Sequence, residues 1–306
     1  MKLFTSLFLT LFVIAAYAQE SDKAIKSGAD LFFNQEYEKA LKIFQKEYKK
    51  SNSITSKFWV AHCYAELNEV DNAKPLFDEI IRSRIICPER AMSLVNLANC
   101  YRSYDQRDSA FFYYDKAIEE YPKLASGYFN KGQLLYASSR FEEAKDVYDE
   151  AIKIEQDNWW YHAKRLEVSF ASQDFEGALI DLKRIKELKP EKLNQMNVAY
   201  CYSMLKKYDK ADSVFNKIFD NKDAFFLNNY GLNKHYLGES NEAIKIIEES
   251  LELAPENSYA YRNLGMIALD NGKETDACRY FKRAQDLNFR KKYGEEIDDL
   301  ISANCK

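Results

Sequence analysis

Residues 94–122 read LVNLANCYRSYDQRDSAFFYYDKAIEEYP, and the spacing of apolar residues within them decides the fold. Leu94, Leu97, Ala98 and Tyr101 form one run, and Ala110, Tyr114 and Ala117 a second. Steps of three and four residues place each run on one face of an amphipathic helix. The polar break over 103–107 separates the two helices, and Pro122 follows the second. The same pattern extends in both directions. An alanine followed four residues later by a large apolar residue recurs as Ala40/Phe44, Ala73/Phe77, Ala110/Tyr114, Ala144/Tyr148, Ala178/Leu182, Ala211/Phe215, Ala243/Ile247 and Ala277/Phe281. Successive alanines are 33, 37, 34, 34, 33, 32 and 34 residues apart. Twelve residues before each lies a second column, Gly28, Ala61, Ala98, Gly132, Leu166, Ala199, Gly231 and Gly265, small in all but Leu166. Small residues let two helix backbones approach, and the large residue one turn away fills the space beside the contact.

The composition agrees. Nine glycines and five prolines in 306 residues are too few for a turn-rich β sandwich, and 46% hydrophobic with 30% charged residues supports a buried core under a solvated surface. A formal charge of −4 leaves no basic excess for a phosphate backbone, so nucleic acid is not an expected partner. Gly238 and Gly272 stand where a left-handed residue would end a first helix, Asp174 where an N-cap would open a second, and Pro75 near a helix start, where N–H groups lack partners.

The N-terminal stretch MKLFTSLFLTLFVIAAYAQE has Lys2, an apolar run from Leu3 to Ala16, and Ala16 and Ala18 flanking Tyr17. It reads as a signal peptide over 1–18 cleaved before Gln19, with an uncleaved anchor as the alternative. No cysteine follows the small residues to support lipoprotein processing. The mature chain is expected to be periplasmic or secreted, with no stable membrane insertion.

These columns resemble the tetratricopeptide repeat, whose pattern is W-x2-L-G-x2-Y, A-x3-F and P. The fourth unit supplies Tyr128, Gly132, Phe141, Ala144, Tyr148 and Ala151, and the eighth Tyr261, Leu264, Gly265, Ala277, Phe281 and Ala284. The resemblance implies an all-α solenoid, an α-α superhelix of about eight helix-turn-helix repeats over 19–291. Its units run approximately 21–53, 54–87, 91–124, 125–158, 159–191, 192–223, 224–257 and 258–291, and a capping helix follows at 292–306. Leu166 in the small column and the 37-residue step near Cys87 and Pro88 mark where stacking departs from regularity.

The resemblance also implies that first helices line a concave groove. The sixth repeat position reads Lys26, Trp59, Asn96, Asn130, Lys164, Asn197, Asn229 and Asn263. A carboxamide complements a peptide unit, so Asn96, Asn130, Asn197, Asn229 and Asn263 could hold a partner's backbone, as the asparagine ladder of O-linked N-acetylglucosamine transferases does. The alternative is that these amides meet water or local backbone. Phe129, Tyr136, Trp160, Tyr200 and Tyr236 are candidate anchors on the same helices, beside Phe170, Met196, Phe225 and Tyr259, with core packing as the alternative for each. The fifth position reads Ile25, Phe58, Val95, Phe129 and Ala163 in the first five units, which disfavours the basic clamp used by chaperone-binding members.

Reactive chemistry is sparse. His62, His162 and His235 fall in different units, and no phosphate-binding glycine loop, nucleophile elbow or H-E-x-x-H pair occurs. Catalytic residues, metal and cofactor are therefore each read as none. Cys63, Cys100 and Cys201 share one repeat position and read as small core residues, Cys87 as a loop thiol, and Cys278 with Cys305 as the one pair to test for a disulfide. The expected function is a non-enzymatic scaffold binding a peptide or helix segment of a protein partner in the periplasm or envelope. The alternatives are a glycan-binding or carbohydrate-acting repeat protein that uses the aromatic wall, and a structural subunit of an envelope assembly.

Overall fold

The computed structural model describes residues 23–83, 85, 87–219, 223–289 and 294–305; the expected signal peptide lies outside them. Among the described residues the chain forms seventeen α-helices and a 3-10 turn at Pro190–Lys192, with no strand. The helices are α1 (Lys23–Phe33), α2 (Tyr37–Ser51), α3 (Ile54–Glu66), α4 (Val70–Arg82), α5 (Pro88–Ser103), α6 (Arg107–Glu120), α7 (Ala125–Ala137), α8 (Phe141–Ile154), α9 (Trp159–Ala171), α10 (Phe175–Leu188), α11 (Gln195–Met204), α12 (Tyr208–Lys217), α13 (Ala224–Tyr236), α14 (Ser240–Leu253), α15 (Ser258–Asp270), α16 (Glu274–Asp286) and α17 (Glu296–Asn304).

The chain divides into two compact units. One runs to Asp174 and includes Glu187–Lys189; the other comprises Phe175–Lys186 and everything from Pro190 onward. The division falls inside the fifth expected repeat, the one with Leu166 in its small column. In the first unit α1/α2, α3/α4, α5/α6 and α7/α8 pack as pairs, and each second helix also packs on the next first helix. In the second, α11/α12, α13/α14 and α15/α16 pair in the same way, and α17 packs on α16.

In the pairs whose small column holds glycine, that glycine is seated on a large residue of the second helix. A Cβ added to Gly28 would lie 2.6 Å from the Phe44 ring, at Gly132 2.8 Å from Tyr148, and at Gly265 2.4 Å from Phe281. No side chain fits in such a gap, so the large residue lies directly against the small one rather than beside the crossing. Phe44, Tyr148 and Phe281 are buried as a result.

The turn between paired helices is equally regular. Gln35, Asn68, Asp105, Ser139, Gln173, Lys206, Gly238 and Gly272 all have positive φ, between 55° and 88°. The residue after each donates its N–H back into the finished helix, as Glu36 does to the Leu31 carbonyl and Arg140 to that of Leu135, both at 2.9 Å. This left-handed closure satisfies carbonyls that the helix end leaves open. Gly238 and Gly272 occupy it as expected, and Asn68 and Asp105 tolerate it; Gln35, Ser139, Gln173 and Lys206 carry side chains that the conformation disfavours.

One local expectation changes: Pro75 is the sixth residue of α4, past the free N–H groups of the first turn. Asp174 stands directly before α10 and pairs with Lys145 of α8.

The final helix, expected over 292–306, spans Glu296–Asn304. Ile297 is fully buried in a cluster with Ala277, Phe281 and Phe289, and Leu300 and Ile301 pack against it. Gln285 of α16 donates to Asp298 at 2.8 Å, and Arg262 of α15 pairs with Glu296. Cys278 and Cys305 are joined as a disulfide, their Cα atoms 5.6 Å apart.

Three variants test this packing. Gly265→Ala should destabilise the fold by about 1–3 kcal/mol in urea denaturation, because the Phe281 ring cannot retreat from a packed core. Ser139→Gly, at an exposed turn, should stabilise by about 0.5–1 kcal/mol, as relief of left-handed strain outweighs the added chain entropy. Opening the disulfide with Cys305→Ser should raise amide exchange in α17 while leaving α5–α8 unchanged. The bond closes 27 residues, a constraint of about 3 kcal/mol on the unfolded segment.

Candidate protein-binding face

Five of the eight first helices begin with a polar side chain that caps their free N–H groups: Ser53, Asn158, Asn194, Asp223 and Asn257. These caps fix where each first helix starts and therefore which residues face outward. Successive first helices touch one another, α3, α5, α7 and α9 in the first unit and α11, α13 and α15 in the second.

In the first unit the sixth repeat position is mostly closed. Trp59 is buried and stacks on Phe44 at 5.1 Å. Asn96 is 3% exposed, and its amide nitrogen has no protein partner among the described residues. Asn130 is also buried and donates to the Ser126 carbonyl one turn back at 2.8 Å. Lys164 pairs with Glu167 at 2.7 Å and lies over the Trp160 ring. Phe129, expected as an anchor, is a core residue between Tyr148 and Tyr161, with ring centroids 5.8 and 4.9 Å away. Tyr136 is exposed and Trp160 half-buried.

In the second unit Asn229 donates to the Phe225 carbonyl at 2.8 Å, and Asn263, fully buried, donates to Asn228 at 3.0 Å and accepts from Arg262. Asn197 is half-buried. The expected row of five available carboxamides is therefore corrected to one. In Asn96, Asn130, Asn229 and Asn263 the short side chain is covered by its neighbours, and in Asn130 and Asn229 it turns back on its own helix.

The first helices α11 and α13 of the second unit also carry exposed large apolar side chains. Phe225, Met204 and Tyr236 are 59%, 45% and 43% exposed. Met196, Asn197, Tyr200 and Met204 lie along one side of α11, and Phe225, Asn229, Leu232 and Tyr236 along one side of α13, by helical spacing. The two helices are joined where Ser203 donates to Asn233 at 2.9 Å. Tyr236 stacks on Tyr208 at 4.9 Å, and Tyr200 meets Phe175 edge-on at 5.8 Å, so both rings are oriented before any partner arrives. Met204 was absent from the sequence-derived set, although it holds the repeat position of Tyr236 one unit earlier and could have been found that way.

The histidines serve packing and bridging. His62 is buried beside the rings of Phe32 and Phe58, and His162 is buried. His235 lies 2.9 Å from both Ser240 and Asp270. A carboxylate only accepts, so Nε2–H faces Asp270, and the ring links α13 to α14 through Ser240 and to α15 through Asp270. Among the described residues no three metal-binding side chains gather, and no helix is long and apolar enough to cross a membrane.

Comparison with known proteins identifies the architecture. Tetratricopeptide repeat models match residues 92–123, 125–158 and 231–288, and the chain carries tetratricopeptide repeats. It is 24% identical over 295 residues to the human Protein O-mannosyl-transferase TMTC3, covering 90% of this chain and 29% of that protein. It is 23% identical over 290 residues to a TPR repeat-containing protein of Methanocaldococcus jannaschii, covering 82% and 49%. The chain thus spans less than half the length of either relative. Among solved structures, a tetratricopeptide repeat protein from Parabacteroides merdae superposes with a TM-score of 0.54 at 17% identity, covering 86% of this chain and 99% of that one.

Burial also sets thiol reactivity. It pushes the Cys100 thiol up to about 11 and that of Cys201 up to about 12, and raises Cys63 as well. At pH 8 a thiol titrating near 11 is ionised in only about one molecule per thousand. Native protein treated with iodoacetamide at pH 8 should be alkylated at half-exposed Cys87 while Cys63, Cys100 and Cys201 stay unmodified until denaturant is added, as peptide mass mapping would read.

Proposed function

We propose that this tetratricopeptide-repeat chain is a protein-binding scaffold that acts by capture rather than catalysis, and that its second unit takes a peptide or helix segment of a partner on the α11–α13 face. The observation that carries this reading is the exposure of Met204, Phe225 and Tyr236 on adjacent first helices. Three large apolar side chains standing in water on one face are what a partner's apolar stripe would cover. Stacked Tyr236 and edge-packed Tyr200 would supply rigid contact area at low entropic cost, and Met196 and Met204 an adaptable surface. Asn197 is the carboxamide placed to meet a partner's backbone.

Export of the chain, with removal of residues 1–18, is part of the proposal. The Cys278–Cys305 disulfide supports it, because such bonds persist in oxidising compartments.

The test is photocrosslinking in the native envelope from a benzophenone side chain at position 225, with captured partners identified by mass spectrometry. Met204→Ala, Phe225→Ala and Tyr236→Ala combined should weaken partner capture at least tenfold with unchanged helical circular dichroism, and Asn197→Ala should weaken it a few fold. Equal capture by the triple variant would remove the α11–α13 face from the function.

A further inference from the structure

The second unit also contains a cleft of about 580 Å³ between α10, α11 and α12. It lies on the other side of α11 from the proposed protein-binding face. The α11 residues lining it are Gln195, Val198 and Tyr202, which at 100° per residue point away from Met196, Tyr200 and Met204. Leu182, Val198 and Val214 form an apolar lining, buried or half-buried. Lys183, Lys186 and Lys217 also line it, and all three are exposed.

The whole chain has 48 acidic against 44 basic residues, yet the charged residues that line this cleft are all lysines. Lys183, Lys186 and Lys217 form no ion pair among the described residues, and none of the residues lining the cleft is a carboxylate. Three unpaired cations around an apolar pocket repel one another unless an anion joins them. The volume suits a small ligand, since pockets that bind such molecules measure roughly 300–1,000 Å³.

We propose that this cleft binds an amphiphilic organic anion, its single alkyl or aryl body against Leu182, Val198 and Val214 and its carboxylate or phosphate head among the three lysines. The body is held by burial, and the head selects anionic over neutral amphiphiles. Ile180, 63% exposed at the same cleft, would be covered by the bound body.

Isothermal titration of the full chain with decanoate, decyl phosphate and 1-decanol, all below micelle formation, tests this. Decanoate or decyl phosphate should bind at one site, with 1-decanol at least tenfold weaker, and added sodium chloride should weaken only the anions. Preference for decanoate would identify a fatty-acid-like ligand, and preference for decyl phosphate a phospholipid-like head. Combining Lys183→Gln, Lys186→Gln and Lys217→Gln should weaken anion binding about tenfold, the scale expected for three solvent-screened charge contacts. The side chains are exposed, so this variant should fold, and it should capture protein partners as the parent does. Val198→Trp, which narrows the lining, should weaken all three ligands. Equal binding of decanoate and 1-decanol, undiminished binding by the lysine variant, or no binding would overturn the proposal. Displacement of decanoate by a tighter acidic amphipathic peptide would replace the small anion with a partner helix.

Discussion

The contact between a small residue on one helix and a large one on its pair mate sets the rest of this molecule. Gly28 on Phe44, Gly132 on Tyr148 and Gly265 on Phe281 seat a ring so tightly on the glycine backbone that no β-carbon fits between them. That distance fixes the hairpin, the hairpin exposes an apolar edge, and the edge is buried only against the next hairpin. A single pair could not stand alone in water, so stability is shared among neighbours. Variation is consequently confined to the residues that the repeat leaves outward.

The pairing was legible because both partners of the contact come from restricted residue classes at a constant interval. The turns were less so. Gly238 and Gly272 announce a left-handed backbone, whereas Gln35, Ser139 and Lys206 adopt it with nothing in their chemistry to signal it. There the tertiary fold overrides local preference: two packed helices of fixed length dictate where the chain must reverse. Pro75 misleads for a related reason, since a repeat held by its neighbours tolerates one missing hydrogen bond in α4.

The register of the first helices was legible, but not the accessibility of the residues they carry. Repeat register correctly assigns Asn130, Asn229 and Asn263 to first helices, yet register carries no information about the height of surrounding side chains. Asparagine is short, and at these positions it is overtopped. Phe129 illustrates the same point from the apolar side, because Tyr148 and Tyr161 close over it. The large residues Met204, Phe225 and Tyr236 project past that layer.

A stacked array has a hazard at each end, where the last hairpin displays the edge that another hairpin would cover. Here α17 covers it, and the sulfur bridge tethers that helix to α16. If α17 undocks, the bridge keeps it at high effective concentration beside α16, so its return to the apolar edge it covers is an intramolecular event.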